Sequence, residues 1–140
     1  MTALVVAALA VLAALTVGVA LTRRSGTVRP ARRSVRTELL AAAGVTAQAP
    51  TILHFSAAWC GPCAAVRRVV GQVVDDLAGH PRPPVEVELD IDEHPTLAKE
   101  LGVLSLPTTF VFDGLHSEAF RISGVPAAAE LRATVSLLSA

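Results

Sequence analysis

The stretch Thr51-Ile52-Leu53-His54-Phe55-Ser56-Ala57-Ala58-Trp59-Cys60-Gly61-Pro62-Cys63 decides how this chain is read. It opens on an apolar run, Thr51 to Ala57, that reads as a buried strand. It ends on a C-x-x-C pair, and from Cys60 onward the pattern turns helical. Val66, Val69, Val70, Val73, Val74 and Leu77 recur at three- and four-residue steps and define one buried face. Arg67, Arg68, Gln72, Asp75 and Asp76 fill the opposite face. Pro62 is tolerated in a first helical turn, because the N–H it lacks would be unpaired there anyway. One sulfur can therefore sit at a helix N-terminus as a reactive thiolate, with the other close enough to close a disulfide.

The chemistry of the pair narrows by elimination. Cys60 and Cys63 are the only two cysteines in 140 residues. Zinc needs four ligands, and His54, His80, His94 and His116 show no paired ligand spacing. Covalent haem attachment needs a histidine directly after the second cysteine, and Ala64 stands there. A purely structural bridge over so short a loop would constrain the unfolded chain little. A dithiol that cycles is what remains. The thiolate is the nucleophile of disulfide exchange, and a helix N-terminus favours the anion at Cys60. Cys63, further into the helix, is expected to be more buried and to resolve the mixed disulfide. No cofactor is implied.

Beyond this stretch, Val85, Val87, Leu89 and Ile91 alternate with Glu86, Glu88 and Asp90, which is a strand pattern. Pro95 to Leu101 reads as a short helix stopped by Gly102. Thr108 to Phe112 reads as a strand, Asp113-Gly114 as a hairpin turn and His116 to Ile122 as its partner. Gly124 and Pro126 lead into a last helix over 127–138. Upstream, Thr37 can cap a helix reaching about Ala43, with Gly44 as its stop. Strands joined through helices imply parallel pairing, and the final hairpin adds an antiparallel strand. The expected fold is α/β, a mixed central sheet with helices on both faces.

The first residues have a different character. Ala3 to Leu21 carries no charge. As a helix it would be about 28 Å long, close to a hydrocarbon core of about 30 Å. It reads as one N-terminal transmembrane helix, with residues 1–22 as anchor, 23–36 as a basic juxtamembrane linker and 37–140 as the folded domain. A cleaved secretory signal is the rival reading, but Met1-Thr2-Ala3 lacks the positive n-region of such signals. Arg23, Arg24, Arg29, Arg32, Arg33 and Arg36 all lie on the C-terminal flank, so the positive-inside bias keeps the domain in the cytoplasm. From Thr37 on there are 6 basic and 12 acidic residues, a net of −6. An acidic domain without a basic face argues against nucleic acid as a partner.

Trp59-Cys60-Gly61-Pro62-Cys63 resembles the active-site motif of thioredoxins. Its frame is similar too: Phe55 and Ala57 before it, then Asp90-Ile91-Asp92, Leu101-Gly102-Val103, Leu106-Pro107-Thr108 and Gly124. The resemblance runs from about Ala49 to the C-terminus. It implies a thioredoxin-like fold and a thiol–disulfide oxidoreductase, with Cys60 attacking and Cys63 resolving. It also makes Pro107 a cis-proline beside the disulfide, with the Leu106 backbone offering hydrogen bonds to an extended substrate. Trp59, Gly61 and Pro62 would contact that substrate; for Trp59 the lesser alternative is plain core filler. The implied partners are protein disulfide substrates and a reductase or other thiol electron donor.

The sequence departs from that family behind the motif. The usual buried aspartate six residues before the first cysteine is His54, and the lysine that approaches it is Glu88. His54 could take over proton transfer with Cys63, oriented by Glu88, since an imidazole ordinarily titrates near 6.5. A buried neutral histidine that only fills the strand is the alternative. Arg68 replaces a helix-kinking proline, and Ala64 replaces a lysine. The leading expectation is a membrane-tethered disulfide reductase facing the cytoplasm. The alternatives are an extracytoplasmic protein serving disulfide reduction or cytochrome maturation, and a redox-responsive binding module that does not turn over.

Overall fold

A computed structural model of the chain describes residues 31–140, with side chains from Arg36 onward. The expected anchor, residues 1–22, and most of the basic linker lie outside the described residues. Residues 33–140 form one compact unit. Its elements are α1 (Ala31–Ala42), β1 (Thr51–Ser56), α2 (Cys63–Asp76), β2 (Val85–Asp90), α3 (Pro95–Leu101), β3 (Thr108–Phe112), β4 (Glu118–Ser123) and α4 (Ala128–Ser139). Among the described residues, no helix is long and apolar enough to cross a membrane.

The sheet order is β2-β1-β3-β4. β1 and β2 are parallel, β1 and β3 antiparallel, and β3 and β4 antiparallel. The direction of β3 corrects the parallel pairing expected for strands joined through a helix. The reason is length. At 1.5 Å per residue the seven residues of α3 span roughly 10 Å, whereas a six-residue strand spans about 20 Å. So short a helix does not itself span the sheet, and the loop after Gly102 leaves the chain at the end where β2 stopped. β3 therefore starts where β2 ended, with Thr108 opposite Phe55, and runs the other way.

Strand alternation divides the core between the two faces. Leu53 and Phe55 of β1, with Phe110 and Phe112 of β3, pack against Leu40 of α1 and Leu97, Ala98 and Leu101 of α3. Ile52 and Val111 point the other way, onto Val66, Val70 and Val73 of α2 and Leu131 and Val135 of α4. Helices thus cover both faces. At the end of α3, Gly102 adopts φ +67, a left-handed cap that glycine accepts without steric cost.

Three boundaries differ from the sequence expectation. α1 begins at Ala31, six residues before Thr37, because Ala and Arg are good helix formers and need no cap residue to be helical. α2 begins at Cys63, with Pro62 as the residue before it. The hairpin loop runs from Asp113 to Ser117, so His116 lies in the turn, at φ +60, and not in β4. Asp113 organises this loop, its carboxylate accepting the N–H groups of Leu115 and Ser117, each at 2.8 Å.

Glu118 ties β4 to α1. It accepts hydrogen bonds from Arg36 and Arg121, and Arg121 lies over the Phe110 ring at 4.6 Å. Burial raises the Glu118 carboxyl, but hydrogen bonds from Arg121 and Arg36 and their two charges outweigh it, so its pKa falls below the ordinary 4.5. Near that value the unfolded chain binds more protons, so this carboxylate stabilises the fold above it and ceases to as pH drops through the lowered folded pKa. Glu118→Gln is expected to cost about 1 kcal/mol at neutral pH. In urea unfolding, the gap to the parent should close as pH falls below 4.5. An equal gap at acid and neutral pH would contradict this.

Candidate active site

The site forms where β1 ends. After Ser56 the chain turns, Cys60 N–H bonding the Ala57 carbonyl at 3.0 Å and Cys63 N–H the Cys60 carbonyl at 3.3 Å. Cys60 thus lies in the turn before α2, and Cys63 is the first helical residue. This shifts the sequence expectation by a turn: the N-terminal peptide groups of α2 belong to the segment that carries both sulfurs. Cys60 and Cys63 form a disulfide, with Cα atoms 5.5 Å apart. Cys63 is 1% exposed, and its sulfur lies 4.0 Å from the Phe55 carbonyl oxygen. Cys60 is half-buried, and Gly61 and Pro62 are exposed. The sulfur that the surface can reach is therefore Cys60.

A second loop reaches the same end of the sheet. The Leu106–Pro107 peptide bond is cis, and Thr108, next in the chain, pairs with Phe55 at the root of the motif. Gly124 N–H bonds the Pro107 carbonyl at 2.8 Å, and Thr108 Oγ1 donates to the Ser105 carbonyl at 2.7 Å. Pro107 is buried and Leu106 half-buried. Trp59 is 70% exposed, its indole N–H donating to Asp92 at 3.3 Å, so it is not core filler. Leu104 and Val125, on the loops flanking Pro107 and Gly124, are also exposed.

Behind the disulfide, His54 is fully buried. Alternation along β1 puts it on the Ile52 face, the face covered by α2. Its expected partner was Glu88, which stands opposite it in the register. The structure corrects this. His54 Nε2 bonds Glu86 Oε1 at 2.8 Å, while both Glu88 carboxylate oxygens accept from Arg67 Nε–H, at 2.8 and 2.9 Å. Burial raises the Glu88 carboxyl, but hydrogen bonds from Ser56 and Arg67, and attraction to His54 and Arg67, outweigh it and lower its pKa. Glu86 and Arg67 are the site-end residues that sequence reasoning missed. The signal for Glu86 was present, since it shares a strand face with Glu88. Among the described residues, no cluster of three or more His, Cys, Asp or Glu side chains could hold a metal ion.

A buried sulfur at the start of a helix, bridged to a more accessible one and set beside a cis-proline loop, defines a protein built for thiol–disulfide exchange. Comparison with known proteins agrees. The thioredoxin family model matches residues 37–136. The chloroplastic M-type thioredoxin of Chlamydomonas reinhardtii is 36% identical over 107 residues, covering 76% of this chain and 74% of the relative. A bifunctional thioredoxin reductase/thioredoxin of Mycobacterium leprae is 38% identical over 66 residues, 46% of this chain and 14% of that protein. The solved structure of chloroplastic thioredoxin z superposes with a TM-score of 0.57 at 27% identity, covering 74% of this chain and 87% of that one. The chain belongs to the thioredoxin family and is a thiol–disulfide oxidoreductase.

Proposed function

We propose that this chain is a membrane-tethered disulfide reductase whose domain faces the cytoplasm. The observation that carries the catalytic reading is the Cys60–Cys63 disulfide, one sulfur accessible and the other 1% exposed. In the reduced form, the Cys60 thiolate attacks a client disulfide and a mixed disulfide forms. Cys63 then attacks Cys60 Sγ, which expels the client as a thiol and restores the internal disulfide. Two electrons pass from the dithiol to the client. The backbone of Leu106, held beside Pro107, pairs with an extended client segment, and Trp59, Gly61 and Pro62 form its contact surface. Exposed Leu104 and Val125 extend that surface with apolar area. A thioredoxin reductase, the activity joined to thioredoxin in the Mycobacterium leprae relative, or another thiol donor returns the electrons.

The tether is supported by the uncharged run from Ala3 to Leu21, and the orientation by the arginines that follow it. A cytoplasmic site suits a reductase, because that compartment keeps dithiols reduced. Anchoring raises the local concentration of the site near membrane-bound clients. Labelling of Cys60 in intact cells with a membrane-impermeant thiol reagent tests the orientation. Protection until the cells are opened is expected. Labelling of intact cells would place the domain outside and favour the extracytoplasmic alternative.

His54 is the base that accepts the Cys63 proton. His54→Gln keeps an N–H for Glu86 but cannot take up a proton at neutral pH. Resolution of the mixed disulfide is expected to slow about a hundredfold, within the range positioned acid–base groups supply, with a changed pH profile. A profile and rate equal to the parent's would show a histidine that only fills the strand.

A further inference from the structure

We infer that Glu86 is the positioning residue for His54, holding its ring in the Nε2–H tautomer so that Nδ1 is the atom that accepts the Cys63 proton. The inference rests on the reading of His54 as the base. It goes beyond that reading by naming the atom and the group that sets it.

Two carboxylates of β2 face the imidazole, and they are not equivalent. Glu88 is paired with Arg67 and makes no hydrogen bond to the ring. Glu86 is left to the ring, at 2.8 Å from Nε2. An ionised carboxylate only accepts hydrogen bonds, so Nε2 must carry the hydrogen and the neutral ring has its lone pair on Nδ1. Nδ1 is buried and has no hydrogen-bond partner among the described residues. Thr109 Oγ1, on the residue opposite His54 in β3, is likewise buried without one. Buried polar atoms are normally paired, and an unpaired one calls for an explanation, of which a catalytic role is one. A lone pair kept free on the α2 face of β1 is an acceptor in waiting for the thiol that opens α2.

Charge makes the same point. Glu86 is bonded to His54 and Glu88 stands opposite it, both from β2, with Arg67 of α2 held on Glu88; α4 contributes the apolar Leu131 and Val135 to that layer. Glu86, bonded to Nε2, is the anion in contact with an imidazolium, and Glu88, shared with Arg67, adds attraction from its place across the register. Its side chain is 31% exposed while that of His54 is fully buried, so the carboxylate meets water on one side and the buried ring on the other. The step balances. Cys63 S–H gives its proton to Nδ1, and the thiolate attacks Cys60 Sγ. The Cys60–client bond breaks as the Cys60–Cys63 bond forms, and the client thiolate leaves with the electron pair and takes a proton from water. The Nε2–H bond to Glu86 becomes charge-assisted as the ring turns cationic, and Nδ1 returns its proton to Cys63 when the internal disulfide is next reduced.

The test uses the full chain with Glu86→Ala, Glu86→Gln, His54→Gln and the double variant Glu86→Ala/His54→Gln. Nitrogen-15 NMR of the reduced parent should show His54 as the Nε2–H tautomer, retained in Glu86→Gln and lost in Glu86→Ala. Single-turnover resolution in Glu86→Ala should slow at least about tenfold, the usual cost of losing a partner that orients a histidine, with a displaced pH profile. Glu86→Gln should fall between the two. In the double variant, Glu86→Ala should add less than about twofold to the His54→Gln defect, since the two act as one unit. An Nδ1–H tautomer in the parent, or a Glu86→Ala profile equal to the parent's while His54→Gln is slow, overturns the Glu86 role alone. A parent-like His54→Gln overturns the base itself.

Discussion

Cys63→Ser is expected to stop the cycle after its first step. Cys60, accessible in its turn, still attacks a client disulfide, but no second sulfur is present to release the product. The full chain carrying this change should accumulate as a covalent mixed disulfide with its client, visible on a non-reducing gel and dissolved by dithiothreitol. Cys60→Ser should form no adduct, because Cys63 is 1% exposed and cannot reach a protein substrate. The asymmetry follows from one turn of chain. The Ala57 to Cys63 segment leaves one sulfur in the loop and puts the other under the start of α2. An adduct formed equally well by Cys60→Ser would mean that the buried sulfur is the nucleophile.

Phe110→Ala is expected to cost about 3–5 kcal/mol, a large share of the roughly 5–15 kcal/mol that holds a domain together. Phe110 is fully buried at the centre of the sheet. Its ring meets Phe55 edge-on at 6.2 Å and stacks with Phe112 at 6.1 Å, and Arg121 covers it from β4. Truncation removes the ring from all three contacts and leaves a cavity that close-packed neighbours cannot fill. Urea denaturation of the full chain measures the loss. A change below about 1 kcal/mol would mean that this face of the core rearranges freely, against the packing seen here.

The order of the elements was legible in the sequence because each carries its own period. α3 and β3 fall on the expected residues, bounded by Pro95, Gly102 and Pro107, which act locally. The direction of β3 was not legible, since it depends on where a short helix can deliver the chain. At the site, the two cysteines announced themselves through spacing, and Pro107 through the resemblance of its frame to thioredoxins. The partner of His54 did not. Alternation places Glu86 and Glu88 on one face, but it is Glu86 that reaches the ring, while Glu88 is held by Arg67, a residue on α2 whose sequence pattern assigned it only to the solvent side. Period fixes the face a residue occupies; the pairing across that face is set by tertiary packing.

The most direct measurement of the dithiol cycle is turnover of insulin disulfides by the full chain with dithiothreitol as donor. Reduction well above the rate of dithiothreitol alone, abolished in Cys60→Ser, is the expected result. A parent chain no faster than dithiothreitol would contradict the cycle and leave the Cys60–Cys63 pair as a redox-responsive contact without turnover.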